Sequence, residues 1–461
     1  MVTLLGLRQI ASAQFTKLLD FDGTTNGSRP WGSLISDGIF LYGMTIGGGT
    51  NDKGTIFKLM LNGGGYVKLL DFAGATNGSN PFGSLISDGI FLYGMTAYGG
   101  TNDMGTLFKV KLDGSDFVKL LDFAGATNGS NPQGSLISDG TFLYGMTAYG
   151  GTNDKGTIFR LMPDGSGFVK LLDFAGATNG SNPQGSLISN GTFLYGMAAY
   201  GGVNSNGTLF KLMPDGSGFV KLWDFAGATN GRTPNGALIY DATFLYGMTF
   251  SGGASDRGTI FKLMPDGSEY LKMFAFAGYA NGTYPYGALI LEGTFLYGMP
   301  QHGGTNGMGT IFKINPDGSS YVKLLDFDGA TKGSDPVGPL ISDGSFLYGM
   351  TTYGGTYNKG VVFKYGIATA VEGKAEPRSD IVYPNPTSGV FTIQFPAPQG
   401  DGAQVDIFTI LGDKIYSSHI RPDGSNPNIT EIDLSKQAKG IYFYQLTGGK
   451  KLLKKGKIIV E

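Results

Sequence analysis

The chain has 461 residues, with 34 Lys and Arg against 36 Asp and Glu, a formal charge of -2 and no cysteine. Disulfides, thiolate catalysis and cysteine-based metal sites are therefore excluded, and the two histidines, His302 and His419, limit any His-dependent centre. Outside the extreme C-terminus there is no long basic run to displace the counterions of a nucleic acid, and no apolar run reaches the length of a membrane span.

In chain order, Met1 to Ala13 (MVTLLGLRQIASA) ends in the A-x-A pattern Ala11-Ser12-Ala13. It is expected to be a signal peptide over 1–13 whose assigned start is truncated, with an ordinary N-terminal end as the alternative. From Phe15 onward a repeat dominates. FLYGM begins at Phe40, Phe91, Phe142, Phe193, Phe244, Phe295 and Phe346, always 51 residues apart, and KLLDF or a close variant begins seven times between Lys17 and Lys323.

Each repeat is predicted to form four short strands. In the third, these are Gly134–Ser138, Thr141–Ala148, Thr157–Met162 and Phe168–Phe174, with an Asp139-Gly140 two-residue turn and a Pro163-Asp164-Gly165 turn between them. Helical periodicity is absent. Four antiparallel strands repeated seven times predict an all-β fold, a seven-bladed β-propeller over 14–366. The last repeat lacks a KLLDF strand, whereas Phe15–Phe21 is a KLLDF strand without a repeat of its own. Pairing the two closes the ring and removes both exposed edges. This strand order puts the Asp-Gly turns on one face, the bottom, and the Tyr-Gly-Gly-Thr-Asn-Asp and Ala-Thr-Asn-Gly-Ser-Asn-Pro loops on the other, the top.

The pattern G-x-L-I-x-D-G-x-x-L-Y-G-M-T-x-x-G-G-x-x-x-x-G-T-I-F-K resembles the GloVer tandem repeat of choice-of-anchor proteins, from about Phe15 to Gly366. Met follows Tyr-Gly here where that family more often has Thr. The resemblance implies a location at the cell exterior rather than an activity.

After a polar linker, 367–379, the chain changes character. Tyr383, Pro384, Asn385, Pro386 and Gly389, then Gly412, Gly440 and Tyr442, stand in the order and spacing of a type A sorting domain of the type IX secretion system, over 380–461. Its alternating pattern reads as a small Ig-like β-sandwich. The resemblance implies handling by the type IX machinery, passage through the outer membrane, cleavage near the linker, and release or surface attachment.

Ligand-binding candidates come from the top loops. The residue before Gly-Gly is Gly47, Tyr98, Tyr149, Tyr200, Ser251, His302 or Tyr353, and the residue after the loop proline is Trp31, Phe82, Gln133, Gln184, Asn235, Tyr286 or Val337. The sixth repeat adds Tyr279 and Tyr284. Aromatic faces beside amides suit sugar rings, which present C–H patches and hydroxyls together. Plugging of the loops against the scaffold is the alternative.

The FLYGM methionines are read as packing between blades, in preference to a soft-metal ring. The strand-four aspartates are read as binding turn amides. Asp52, Asp103, Asp154 and Asp256 leave two readings open, calcium or turn hydrogen bonding. No other cofactor is expected. Top-loop Arg29, Arg232 and Arg257, with the singular acids Asp335 and Glu292, keep a glycan-active enzyme among the readings. The leading expectation is a monomeric, non-catalytic propeller that binds extracellular polysaccharide, with docking to a surface protein as the alternative.

Overall fold

The computed structural model describes residues 14–367, 381–383, 387, 389–395, 403–409, 414–420, 428–448 and 451–460. The expected signal peptide and, Ile367 apart, the linker lie outside them. The chain divides into two compact units, Met1–Ala368 and Thr369–Glu461.

In the first unit the third strand of each repeat (Thr157–Leu161, for example) is buried on both sides, with Arg160 alone reaching outward. Such a strand needs cover on both faces, and neighbouring blades supply it. Met44, Tyr42 and Ile56 of the first blade share one core with Leu85, Leu92 and Phe108 of the second. All seven FLYGM methionines are buried, Met350 the most exposed at 4%. The glycine of FLYGM is needed for close packing: a Cβ on Gly43 would fall 2.6 Å from the Phe57 ring.

Seven antiparallel blades result among the described residues, six of them four-stranded and the first with a fifth strand, Ser28–Pro30, paired to Phe40–Gly47. The innermost strands are shorter than expected, two residues in most blades (Ile137–Ser138), because the preceding Gly-Ser packs around the axis instead of on the next strand. The bottom turn also differs from expectation. Asp139 N–H bonds to the Phe142 carbonyl, which leaves Gly140-Thr141 at the tip, one residue later than Asp139-Gly140. The Asp139 carboxylate causes this shift by accepting from the Thr141 and Phe142 amides and the Tyr144 hydroxyl.

The ring closes. Phe15–Asp20 pairs antiparallel with Val361–Gly366 and completes the seventh blade. Around the axis, Gly32, Gly83, Gly134, Gly185, Gly236, Gly287 and Gly338 each approach the backbone of the next blade, and Gly338 approaches Gly32. Ser33, Ser84 and Ser135 amides each donate 2.7 Å bonds to the serine hydroxyl 51 residues on.

Each strand-four aspartate clips a top loop to its blade. Asp71 accepts from the Thr50 amide and hydroxyl, both at 3.0 Å, and pairs with Lys68 at 2.7 Å. The closing strand repeats the clip across the ring, from Thr356 to Asp20. Burial works to raise the pKa of Asp20, Asp71, Asp122, Asp173 and Asp326, but the Lys and Thr donors outweigh it and hold each carboxyl below its ordinary value. A group depressed on folding adds stability above its unfolded pKa, about 3.9, and loses it as pH falls through the folded value. The thermal midpoint is therefore expected to be flat near neutrality and to fall below about pH 4, and the fall should be shallower in Asp122→Asn. A midpoint that holds steady down to about pH 2.5 would contradict these clips.

In the second unit a three-stranded sheet (Ile381–Tyr383, Val390–Phe395, Asn428–Asp433) and a four-stranded sheet (Lys414–Ile420, Ala403–Phe408, Gly440–Gly448, Lys451–Val460) share one core that includes Phe391, Ile432, Val405, Tyr444 and Ile458. Pro384, Asn385, Pro386 and Gly412 of the sorting motif lie outside the described residues. Gly389 has φ 122°, and a Cβ there would press on the Ser435 backbone, 2.5 Å from its Cα. Gly440 opens a long strand, and buried Tyr442 donates its hydroxyl to the Ala438 carbonyl at 2.5 Å.

Candidate functional site on the top face

The residues that follow the loop prolines converge on the axial mouth, each carried there by the glycine ring that follows it. In ring order they form two halves. Gln133, Gln184 and Asn235 line one side; Tyr286, Val337, Trp31 and Phe82 line the other. The Trp31 ring meets Phe82 and Tyr286 edge-on at 5.4 and 5.5 Å. Burial raises the Tyr286 phenol pKa, and its hydroxyl donates to Gln184 Oε1 at 2.9 Å. Asn235 is 6% exposed, and its Oδ1 is buried without a hydrogen-bond partner. A buried amide oxygen left unpaired costs about 1–3 kcal/mol, which a donor from outside would recover.

Tyr98, Tyr149, Tyr200 and Tyr353 stand apart, one to a blade, and are exposed, from 39% to 47%. Their backbones pair with Ser79, Ser130, Ser181 and Ser334 of the neighbouring loop. The structure brings Tyr284 and His302 together at 6.1 Å and links them to the axis through Phe250, which stacks on Tyr284 at 5.1 Å and meets Tyr286 at 6.0 Å. Six aromatic side chains thus run without a gap from Phe82 at the mouth to His302 over the sixth blade. The Arg257 guanidinium lies 5.4 Å over Tyr284. His302 Nδ1–H donates to Asp335 Oδ1 at 2.8 Å, which fixes the imidazole and leaves Nε2 as the other ring nitrogen.

Arg232 holds Asp256 through two bonds, of 3.1 and 2.6 Å. Both side chains are exposed, so the pair contributes at most about 1 kcal/mol. Asp52, Asp103, Asp154 and Asp256 each accept a bond from the first Gly-Gly amide of their own loop, which is the turn reading of those residues. Glu292 pairs opposite Phe295 at the bottom turn, far along its strand from the top loops.

The sequence signals single out neither Phe250 nor, as a set, the position before the loop proline. That position holds Arg29, Asn80, Asn131, Asn182, Thr233, Tyr284 and Asp335, all with φ between 52° and 57°. Aligning the repeats with each other shows the variation, although no repeat by itself reveals the left-handed backbone.

Residues 7–138, 87–244 and 230–375 match the Gloeobacter/Verrucomicrobia repeat, and residues 381–461 match the Secretion system C-terminal sorting domain. No curated protein matches the chain. Among solved structures, an oligogalacturonate lyase in complex with manganese is 13% identical, with a TM-score of 0.50 over 79% of this chain and 96% of that one. The extracellular domain of a one component system from B. thetaiotaomicron is 10% identical, with a TM-score of 0.51 over 98% of this chain and 58% of that one. These identities show a shared fold alone. The C-terminal match indicates type IX export to the cell surface or the extracellular space. With its repeats covering most of the length and folding into one closed ring, the chain belongs to the Gloeobacter/Verrucomicrobia repeat family, and it carries its own sorting domain for export.

Proposed function

We propose that the protein is a non-catalytic binding module which, once exported, takes up extracellular polysaccharide on the top face of its propeller. The axial mouth carries this reading. Aromatic faces on one side and amides on the other match the C–H faces and hydroxyls of a sugar ring, and the unpaired Asn235 Oδ1 offers an acceptor to a hydroxyl. The exposed Tyr98, Tyr149 and Tyr200 extend the surface outward.

The test is binding of the full chain to a panel of soluble and insoluble polysaccharides. Saturable binding is expected. A Trp31→Ala/Tyr286→Ala variant should bind at least about tenfold more weakly, a loss of about 1.4 kcal/mol, while still unfolding cooperatively. The Tyr98/Tyr149/Tyr200→Ala variant measures the outer rings separately. Binding that survives enzymatic removal of glycan from a cell-surface preparation would shift the reading to protein docking. The His302–Asp335 pair favours one further reading, a glycan-active enzyme. That reading requires soluble product to be released from the polymer and the release to be lost in Asp335→Asn.

A further inference from the structure

The top face is not seven-fold symmetric, and its departures from symmetry are contiguous. Three adjacent loops hold Asn80, Asn131 and Asn182 at the left-handed position, each donating its amide to the carbonyl of Ile46, Ala97 or Ala148 at 2.8 to 3.0 Å. Asparagine tolerates this backbone, whereas a β-branched or bulky residue is strained there. The other four loops, next to one another around the ring, hold Thr233, Tyr284, Asp335 and Arg29. Three of the four, Thr233, Tyr284 and Arg29, keep strain at half-buried loop positions where the sister loops avoid it, and strain so kept points to function.

Other changes fall on the same arc. Gly47 replaces the tyrosine of the consensus blades, and the Arg29 guanidinium lies over it, where a Cβ would collide. The fifth blade loses both halves of its clip, with Ala275 for the aspartate and Ala254 for the threonine. Ser251 and His302 replace tyrosine as well. Acids on the arc are engaged: Asp256 by Arg232, Asp335 by His302, Asp328 by Lys332. The Arg29 and Arg257 side chains have no hydrogen bond or ion pair among the described residues, the Arg257 guanidinium having only the Tyr284 ring face.

We infer that this arc is the polymer's docking track and that it selects an anionic glycan, one bearing carboxylate or sulfate groups. Tyr284, itself stacked on Phe250, seats the Arg257 guanidinium, and Arg257 with Arg29 further round the arc supplies the anion-pairing groups. A guanidinium binds such groups through two parallel bonds. The inference rests on the polysaccharide reading and gives it a substrate class and a location.

The full chain is tested by titration against alginate, carboxyl-reduced alginate, dextran sulfate and plain dextran. Expected are binding to alginate, loss on carboxyl reduction, and at least about tenfold weaker binding in Arg29→Gln/Arg257→Gln. Binding to dextran sulfate as well assigns recognition to anionic charge in general; binding to alginate alone assigns it to the carboxylate.

Tyr284→Asn separates a binding role from a structural one, because it restores the residue the sister loops use. It should unfold at an equal or higher temperature and yet bind alginate about tenfold more weakly. A lower midpoint with unchanged affinity would make Tyr284 structural and overturn the track. Binding to plain dextran that ignores all these substitutions would overturn the arc and leave the polysaccharide reading standing. Absence of binding to any polysaccharide would end both.

Discussion

Gly134→Ala is expected to destabilise the propeller by about 3 kcal/mol or more, at the upper end of what overpacking usually costs. The added methyl would collide with the Gly185 carbonyl oxygen of the next blade. That atom is backbone, in a ring where seven such contacts hold one another, so relief of one clash presses on the next blade. Gly140→Ala is the control. Its Cβ would meet nothing within 4 Å, but φ is 89°, so the cost is backbone strain alone, about 1 kcal/mol. Urea denaturation of the two variants should rank them in that order. Equal midpoints would mean that the axial glycines serve turn geometry rather than close approach.

A chain that begins at Asp22, and so lacks the closing strand, is expected to lose its cooperative transition. Three interactions disappear together. Val361–Gly366 loses its outer partner and becomes an open edge. Thr356 loses its clip to Asp20. The core formed by Leu34, Leu41, Phe57, Tyr348, Met350 and Val362 loses Phe21, a side chain with no exposed surface. Phe21→Ala alone should cost about 3–5 kcal/mol by the cavity it leaves. The truncated chain should bind a hydrophobic dye and self-associate through the bare edge. If it instead unfolds at the full-length midpoint, the array behaves as a linear stack whose end strand is dispensable, and closure is not what stabilises it.

The variable top-loop positions show how far one sequence carries. Trp31, Phe82, Tyr286 and the amides were visible as one column of the aligned repeats, because an interval of 51 residues without insertions puts equivalent residues on equivalent loops. That the column meets at the axis follows from the inner strands and from the glycines after it, which bring seven backbones into contact. Asp52 and its equivalents, carboxylates in Gly-rich loops, suit a turn amide or an ion by residue type; the structure adds the partner, a Gly-Gly amide of the same loop at 2.7 or 2.8 Å.

By itself the sequence determined the all-β class, the seven blades, the closing strand, the two faces and the export tail. These depend on period, turn chemistry and local strand pattern, which are properties of neighbouring residues. Only the tertiary structure decided which loops lie side by side. The aromatic run from Phe82 through Trp31 to His302 joins residues up to 271 positions apart, and the arc of Thr233, Tyr284, Asp335 and Arg29 joins both ends of the propeller. The physical reason is ring closure, which makes the first and last repeats neighbours and turns a list of departures from the repeat into one continuous surface.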